Sequence, residues 1–220
     1  MSGQTLHQSV LLNEVVDALG PQNGGCYLDA TFGNGGYSRA ILDTASCTLL
    51  AIDRDPDAVA RGEPMVAEYG GRFHLTEGCF SDMTALLQAQ LTGFDGLDGA
   101  AFDLGVCSTQ LDQPERGFSF RANGPLDMRM SKSGQSAADI VMQTNEADLA
   151  RIFWEYGEEK HRAASPRPFA VFVKKPILQA PANWPPSSIA SCQPNAPGKL
   201  IRQRAAFRPC AFLSIVNLTN

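Results

Sequence analysis

The chain has 220 residues, a formal net charge of −5 and 44% hydrophobic residues, which is enough to bury a sizeable core in one or two domains. The acidic balance excludes a basic field over the whole protein, so any contact with nucleic acid must come from a local patch. Six cysteines, at 26, 47, 79, 107, 192 and 210, form no C-x-x-C pair, and there is no signal peptide or long apolar run. That usage predicts reduced thiols, a cytoplasmic location, no structural metal and no membrane association.

In chain order, residues 9–19 carry apolar groups at 11, 12, 15, 16 and 19, the stripe of an amphipathic helix, with Ser9 placed to cap it. A turn at 21–25 precedes a strand at 26–30. Glycines at 33, 35 and 36 then lead into a helix from residue 38. A second strand is predicted at 48–52, a helix at 56–69, a third strand at 72–75, a helix at 80–91 and a fourth strand at 99–104. This β-α alternation at short spacing predicts a parallel sheet with helices on both faces, the α/β class. Residues 105–135 read as a long polar stretch beyond the fourth strand, where lids and substrate loops of open α/β sheets belong. Two helices follow, at 135–140 and 146–156. Nothing after residue 105 reads as a fifth strand of the same kind.

The run Leu28-Asp29-Ala30-Thr31-Phe32-Gly33-Asn34-Gly35-Gly36-Tyr37, followed by Leu49-Leu50-Ala51-Ile52-Asp53, fixes a ligand class. Glycines let the backbone approach a ligand, and a carboxylate closing the next strand can hold a ribose diol. A dinucleotide fingerprint starting at Gly33 needs glycine at position 38, where Ser38 stands. No Lys-Ser/Thr follows the glycines, which excludes a Walker loop. S-adenosylmethionine, with a ribose and no phosphate, fits better than NAD or ATP. Asp53 is therefore read as the ribose acceptor, against a plain solvated turn formed with Arg54, Asp55 and Asp57. Asp29 and Asp103 also end apolar strands; each either approaches the cationic end of the ligand or orders a loop. Phe80, after the third strand, either stacks on an adenine or belongs to the core. Residues 115–121 and 127–130 interleave arginines with aromatics. That composition suits unpaired RNA, and equally suits an ordinary exposed loop.

Taken together, these motifs resemble a known family. His7-Gln8-Ser9-Val10-Leu11-Leu12-Asn13-Glu14, the glycine run, Ala51-Ile52-Asp53-Arg54-Asp55 and Asp103-Leu104-Gly105-Val106-Cys107-Ser108 occur in order. Gln110-Leu111-Asp112, Glu115-Arg116-Gly117-Phe118-Ser119-Phe120, Gly124-Pro125-Leu126-Asp127-Met128-Arg129-Met130 and Glu155-Tyr156-Gly157-Glu158-Glu159 follow. The chain is similar to the MraW (RsmH) family, which methylates N4 of a cytidine in the decoding centre of 16S rRNA. The resemblance covers residues 7 to about 160. It implies a Rossmann-like class I methyltransferase sheet, represented here by its first four parallel strands, with the start of an inserted helical domain. On this reading residues 1–110 form the cofactor domain, incomplete here, and 111–160 form a substrate loop and the beginning of the helical insert. It further implies S-adenosylmethionine as cofactor, 16S rRNA in the small ribosomal subunit as partner, and a cofactor site of Gly35, Gly36, Tyr37, Asp53, Phe80, Asp103 and Gln110. No residue is assigned as a general base. Tyr37 stands where the family often has His, Cys107 where it has Ser, and Asn123 and Ser131 where Asp is common.

Residues 161–220 depart from the pattern. All 23 acidic residues lie before them, while they hold 9 of the 14 prolines and 8 of the 18 Lys and Arg. Near its end the family has a segment of the type D-P-A-T-R-S-F-Q-A-L-R-I-S-V-N. One DNA string can encode that segment and, read from its second base, also encode I-R-Q-R-A-A-F-R-P-C-A-F-L-S, which is residues 201–214. Residues 161–220 are therefore expected to be an out-of-frame tail without a selected hydrophobic pattern, disordered or nonspecifically collapsed.

Overall fold

A computed structural model of the protein describes residues 9–119 and 124–156. Residues 7–8, 120–121 and 157–159 of the motifs, and the whole segment 161–220, lie outside the described residues. The chain divides into two compact units, residues 1–104 with 130–132, and residues 105–129 with 133–220.

The first unit is built on four parallel strands, β1 (Cys26–Asp29), β2 (Thr48–Asp53), β3 (Phe73–Glu77) and β4 (Gly99–Ala101), in the order β3-β2-β1-β4. Tyr27 pairs with Leu49 on one side of β1 and with Gly99 on the other, and Asp53 closes β2 opposite Glu77 of β3. Because β1 is followed on its two flanks by strands reached through opposite crossovers, the carboxyl ends of β1 and β4 enclose the crevice where open α/β sheets bind ligands.

Strand alternation assigns the two faces. Tyr27, Leu49, Ala51 and Phe73 pack with Ile41 and Leu42 of α2 (Gly36–Thr44) and Ala58 and Met65 of α3 (Pro56–Tyr69). Leu28, Ala30, Leu50 and Ile52 face the other way, onto Leu87, Met83 and Leu86 of α4 (Met83–Gln90). Helix α3 starts at its expected residue because Asp55 caps it, accepting from the Asp57 amide, and Pro56 occupies the first turn, where its missing N–H costs nothing.

Several expected boundaries differ, among them the helix expected at 135–140, which spans Ala137–Gln143. Helix α1 spans Leu12–Leu19, and Ser9 does not cap it; Leu11 holds the cap position in a left-handed conformation at φ 50°. The segment 80–91 opens with a 3-10 turn, Phe80–Asp82, before α4. The strand expected at 99–104 leaves the sheet after Ala101, whose carbonyl accepts from the Ala30 amide, and the Asp103 amide turns to Thr31 Oγ1 at 2.8 Å.

The second unit contains α5 (Ser108–Leu111), α6 (Ala137–Gln143) and α7 (Glu146–Tyr156). Ser136 and Asp139 form a reciprocal cap at the start of α6, with Ser136 Oγ accepting from the Asp139 amide and the Asp139 carboxylate accepting from Ser136. These hydrogen bonds hold the Asp139 carboxyl below its ordinary value. Among the described residues no helix is long and apolar enough to cross a membrane.

Candidate functional site

The glycine turn between β1 and α2 is built from both flanks. Gly35 sits at φ 77°, a conformation that side chains resist, and a Cβ there would lie 2.8 Å from the Phe32 ring. Gly36 opens α2, and a Cβ on it would collide with the Ser9 hydroxyl, so the segment before α1 lies directly over the turn. Tyr37, buried, fastens that segment by donating its phenol hydrogen to the Val10 carbonyl. The same oxygen lies 3.4 Å from Asp103 Oδ2. Burial, reinforced by the nearby Asp103 carboxylate, raises the phenol above its ordinary value, so it remains a donor at neutral pH.

Three strand-end carboxylates have three environments. Asp29 is 0% exposed. Its Oδ2 accepts from Ser38 Oγ at 2.6 Å and its Oδ1 from the Thr31 amide at 3.2 Å. Of the two roles open to it, Asp29 takes loop ordering, since its oxygens face inward. Burial dominates and lifts its carboxyl to about 6, against the partial relief of the Ser38 and Thr31 hydrogen bonds. Ser38, where a dinucleotide fingerprint has glycine, is the residue that holds it.

Asp53 is half-buried, with Oδ2 accepting from the Gly33 amide at 2.7 Å and Oδ1 from the Asp55 amide at 2.8 Å. Burial raises its carboxyl, opposed by those two amides and by the nearby Arg61. Each carboxylate oxygen carries two lone pairs, so two acceptor positions remain for a diol. Asp103 is exposed, immediately past β4.

Phe80 is 41% exposed and meets Phe102, 46% exposed, edge to face with ring centroids 5.9 Å apart. Its segment is tied to Asp53, because the Gly78 amide donates to the Asp53 carbonyl at 2.9 Å. Gly35, Gly36, Tyr37, Asp53, Phe80 and Asp103 thus all belong to the first unit, and all but Gly36 and Tyr37, which open α2, are loop or strand-end residues at the carboxyl side of the sheet. Gln110 belongs to the second unit. It is buried there, its Oε1 accepting from the Cys107 amide at 3.0 Å as part of the cap of α5. Sequence reasoning misses Phe102 because an apolar residue there simply extends the strand expected at 99–104; the signal available is an aromatic directly before an acid.

The donor set suits a sulfonium nucleoside. It consists of a half-buried carboxylate with two acceptor positions left, a second open carboxylate, an exposed aromatic and a close-approach glycine turn, all compatible with a cationic, phosphate-free ligand.

Among the described residues of the Arg-Phe segment, the guanidinium groups are engaged. Arg116 is 6% and Phe118 1% exposed, with the guanidinium 5.8 Å from the ring centroid and Arg116 Nη2 donating to the Arg129 carbonyl. Arg129 grips Asp127 through Nε at 2.9 Å and Nη2 at 2.6 Å. Burial would raise the Asp127 carboxyl, but the Arg129 hydrogen bonds outweigh it and the group lies below its ordinary value. Arg116 and Phe118 therefore lie in the second unit's interior, contrary to an exposed loop at those two positions, while Asp127 and Arg129 form a half-buried ion pair.

A family model described as the MraW methylase family matches residues 4–178. The chain is 55% identical over 160 residues to the ribosomal RNA small subunit methyltransferase H of Rhodospirillum rubrum, covering 73% of this chain and 48% of that protein. To the protein of the same name from Acidiphilium cryptum it is 53% identical over 179 residues, covering 81% and 56%. To that of Paramagnetospirillum magneticum it is 57% identical over 154 residues, covering 70% and 48%. The chain spans about half the length of the curated relatives it matches.

Proposed function

The chain belongs to the MraW methylase family, and from that membership we propose that it carries the cofactor site of an S-adenosylmethionine-dependent rRNA methyltransferase acting on N4 of a cytidine in the 16S decoding centre. The observation that carries the cofactor assignment is the half-buried Asp53 carboxylate, held by two loop amides beside the glycine turn and the exposed Phe80. In this reading Asp53 accepts the ribose hydroxyls, Phe80 lies on the adenine, and Gly35, Gly36 and Tyr37 line the path of the amino-acid end. Gln110 orients the loop that follows Asp103. The proposed partner is the small ribosomal subunit, which sets the proposed location as the cytoplasm.

The chemistry asks for placement. A cytosine N4 amine is a poor nucleophile because its lone pair is delocalised into the ring. When bound, the cofactor supplies an electrophilic methyl group. The chain's own contribution is to align the amine with it and to accept hydrogen bonds from the amine. Asp103, exposed past β4 and anchored through its amide to Thr31, is the acceptor proposed for that task. The target base must be unstacked to reach it. Transfer of a labelled methyl group to 30S subunits from a strain lacking the endogenous enzyme tests the reading. Labelling at the 16S cytidine supports it, and binding of NAD in preference to S-adenosylmethionine refutes it.

The two-frame coincidence at residues 201–214 favours a second reading, in which the chain binds cofactor or RNA without transferring the methyl group. The nucleotide sequence around codon 161 decides whether residues 161–220 are an out-of-frame tail. A one-base change there that restores the family pattern is expected, and an intact frame refutes it.

A further inference from the structure

We propose that Phe102 is a positioning residue of the adenine subsite, fixing the ring of Phe80 so that one of its faces stays open to the base. The inference rests on the reading of the crevice as an S-adenosylmethionine site. Two phenylalanines standing 41% and 46% exposed side by side are costly in water, and each belongs to the carboxyl end of a different strand of the first unit. β3 and β4 are the outer strands of the four, with β2 and β1 between them. For Phe80 and Phe102 to meet at 5.9 Å, the segments that follow β3 and β4 must bridge the gap across the ends of β2 and β1. That is where Asp53 and the glycine turn lie.

The interplanar angle of 90° decides what the pair can do. An edge-to-face pair occupies one face of one ring at most, so Phe80 keeps at least one face for a purine while its tilt is set by its neighbour. Backbone ties carry the ring's position to the ribose acceptor, because the Gly78 amide donates to the carbonyl of Asp53. A nucleoside whose diol is on Asp53 then meets an aromatic surface already oriented. Phe102 has a backbone anchor of its own, since the next residue's amide donates to Thr31 Oγ1 in the β1 loop. Both rings are thus mounted on the loops that define the crevice, and neither is part of the buried core, so replacing Phe102 removes little packing.

The experiment is calorimetric titration of the 220-residue chain with S-adenosylhomocysteine, using Phe102→Ala, Phe102→Leu, Phe102→Tyr, Phe80→Ala and the double variant Phe80→Ala/Phe102→Ala. Melting curves of the unliganded proteins are recorded alongside. The Phe102→Ala and Phe102→Leu variants are expected to bind about three- to tenfold more weakly, Phe102→Tyr to retain affinity, and unliganded melting to be unchanged. In the Phe80→Ala background, Phe102→Ala is expected to cost nothing further, because it acts through the missing ring. Additive losses, full affinity in Phe102→Ala, or full affinity in Phe102→Leu overturn the proposal while leaving the cofactor site intact. Absence of binding by the unaltered chain overturns the cofactor reading itself, and the proposal with it.

Discussion

Replacing Asp29 by Asn should stabilise the protein above pH 7 and have little effect near pH 4. In the native structure the carboxyl is fully buried and its proton is held up to about 6, against an ordinary value of 3.8. The native state therefore binds this proton more tightly than the unfolded chain does. The stabilisation from that proton is fully present below about 3.8 and is lost as the pH rises through about 6. A displacement of about two units, at about 1.4 kcal/mol per unit, makes the cost of ionising Asp29 about 3 kcal/mol at neutral pH. Asparagine keeps the shape and has no charge to bury. Its carbonyl oxygen can accept from the Thr31 amide, and the Ser38 hydroxyl can rotate to accept from its NH2. The assay is urea unfolding of both proteins from pH 4 to 8. Comparing the variant with the parent cancels the opposite acid dependence of Asp127 and Asp139, whose carboxyls lie below their ordinary values. The difference should climb between about pH 4 and 6 and then level off. A difference independent of pH would refute the buried-proton argument, and a neutral-pH loss would show that the amide cannot replace the Ser38 hydrogen bond.

Asp53→Asn keeps the size of the side chain but weakens its acceptors. It should reduce affinity for S-adenosylhomocysteine about tenfold to a hundredfold by calorimetry, with the unliganded fold retained. Gly35→Ala forces a side chain into φ 77° and against the Phe32 ring, and should lower unfolding stability by about 1–3 kcal/mol in urea. Pro64 lies inside α3, exposed, where it removes one helical hydrogen bond. Pro64→Ala should raise the melting temperature, with a ceiling of about 3 kcal/mol in stability.

The sheet was legible because its strands are short apolar runs bounded by glycine, proline and acids, and because both faces are covered, so that no alternation is needed to find them. The helix α7 coincided with its expected range since Asn145 and Asp148 mark its start. What failed was governed by contacts distant in sequence. Ser9 has the chemistry of a cap, yet the approach of its side chain to Gly36 places the helix start two residues later, at a strained Leu11. Arg116 and Phe118 look like surface residues in a polar stretch. Only the return of the chain at Met128 and Arg129, whose amide and carbonyl meet Arg116, makes them interior. Phe102 is invisible to periodicity because a strand residue and a crevice residue share one apolar letter.

The three acids that end β1, β2 and β4 show how position in a sheet converts one sequence pattern into three functions. Each follows an apolar run, and nothing local separates Leu28-Asp29 from Ile52-Asp53 or Phe102-Asp103. At the end of β1 the carboxylate is fully buried, held by Ser38 and the Thr31 amide with its carboxyl lifted to about 6, a fit for holding the loop and a poor one for meeting a cation. β2 places its acid beside the glycine turn, where two backbone amides fix both oxygens yet leave lone pairs facing the crevice. β4 ends two residues before its acid, and the side chain stands in the open with its amide tied to Thr31. Thr31 in turn donates its own amide to Asp29. The buried acid therefore sets the loop from which the exposed one is held. A change at Asp29 that spares the fold should be felt first at Asp103, the group proposed to receive the amine.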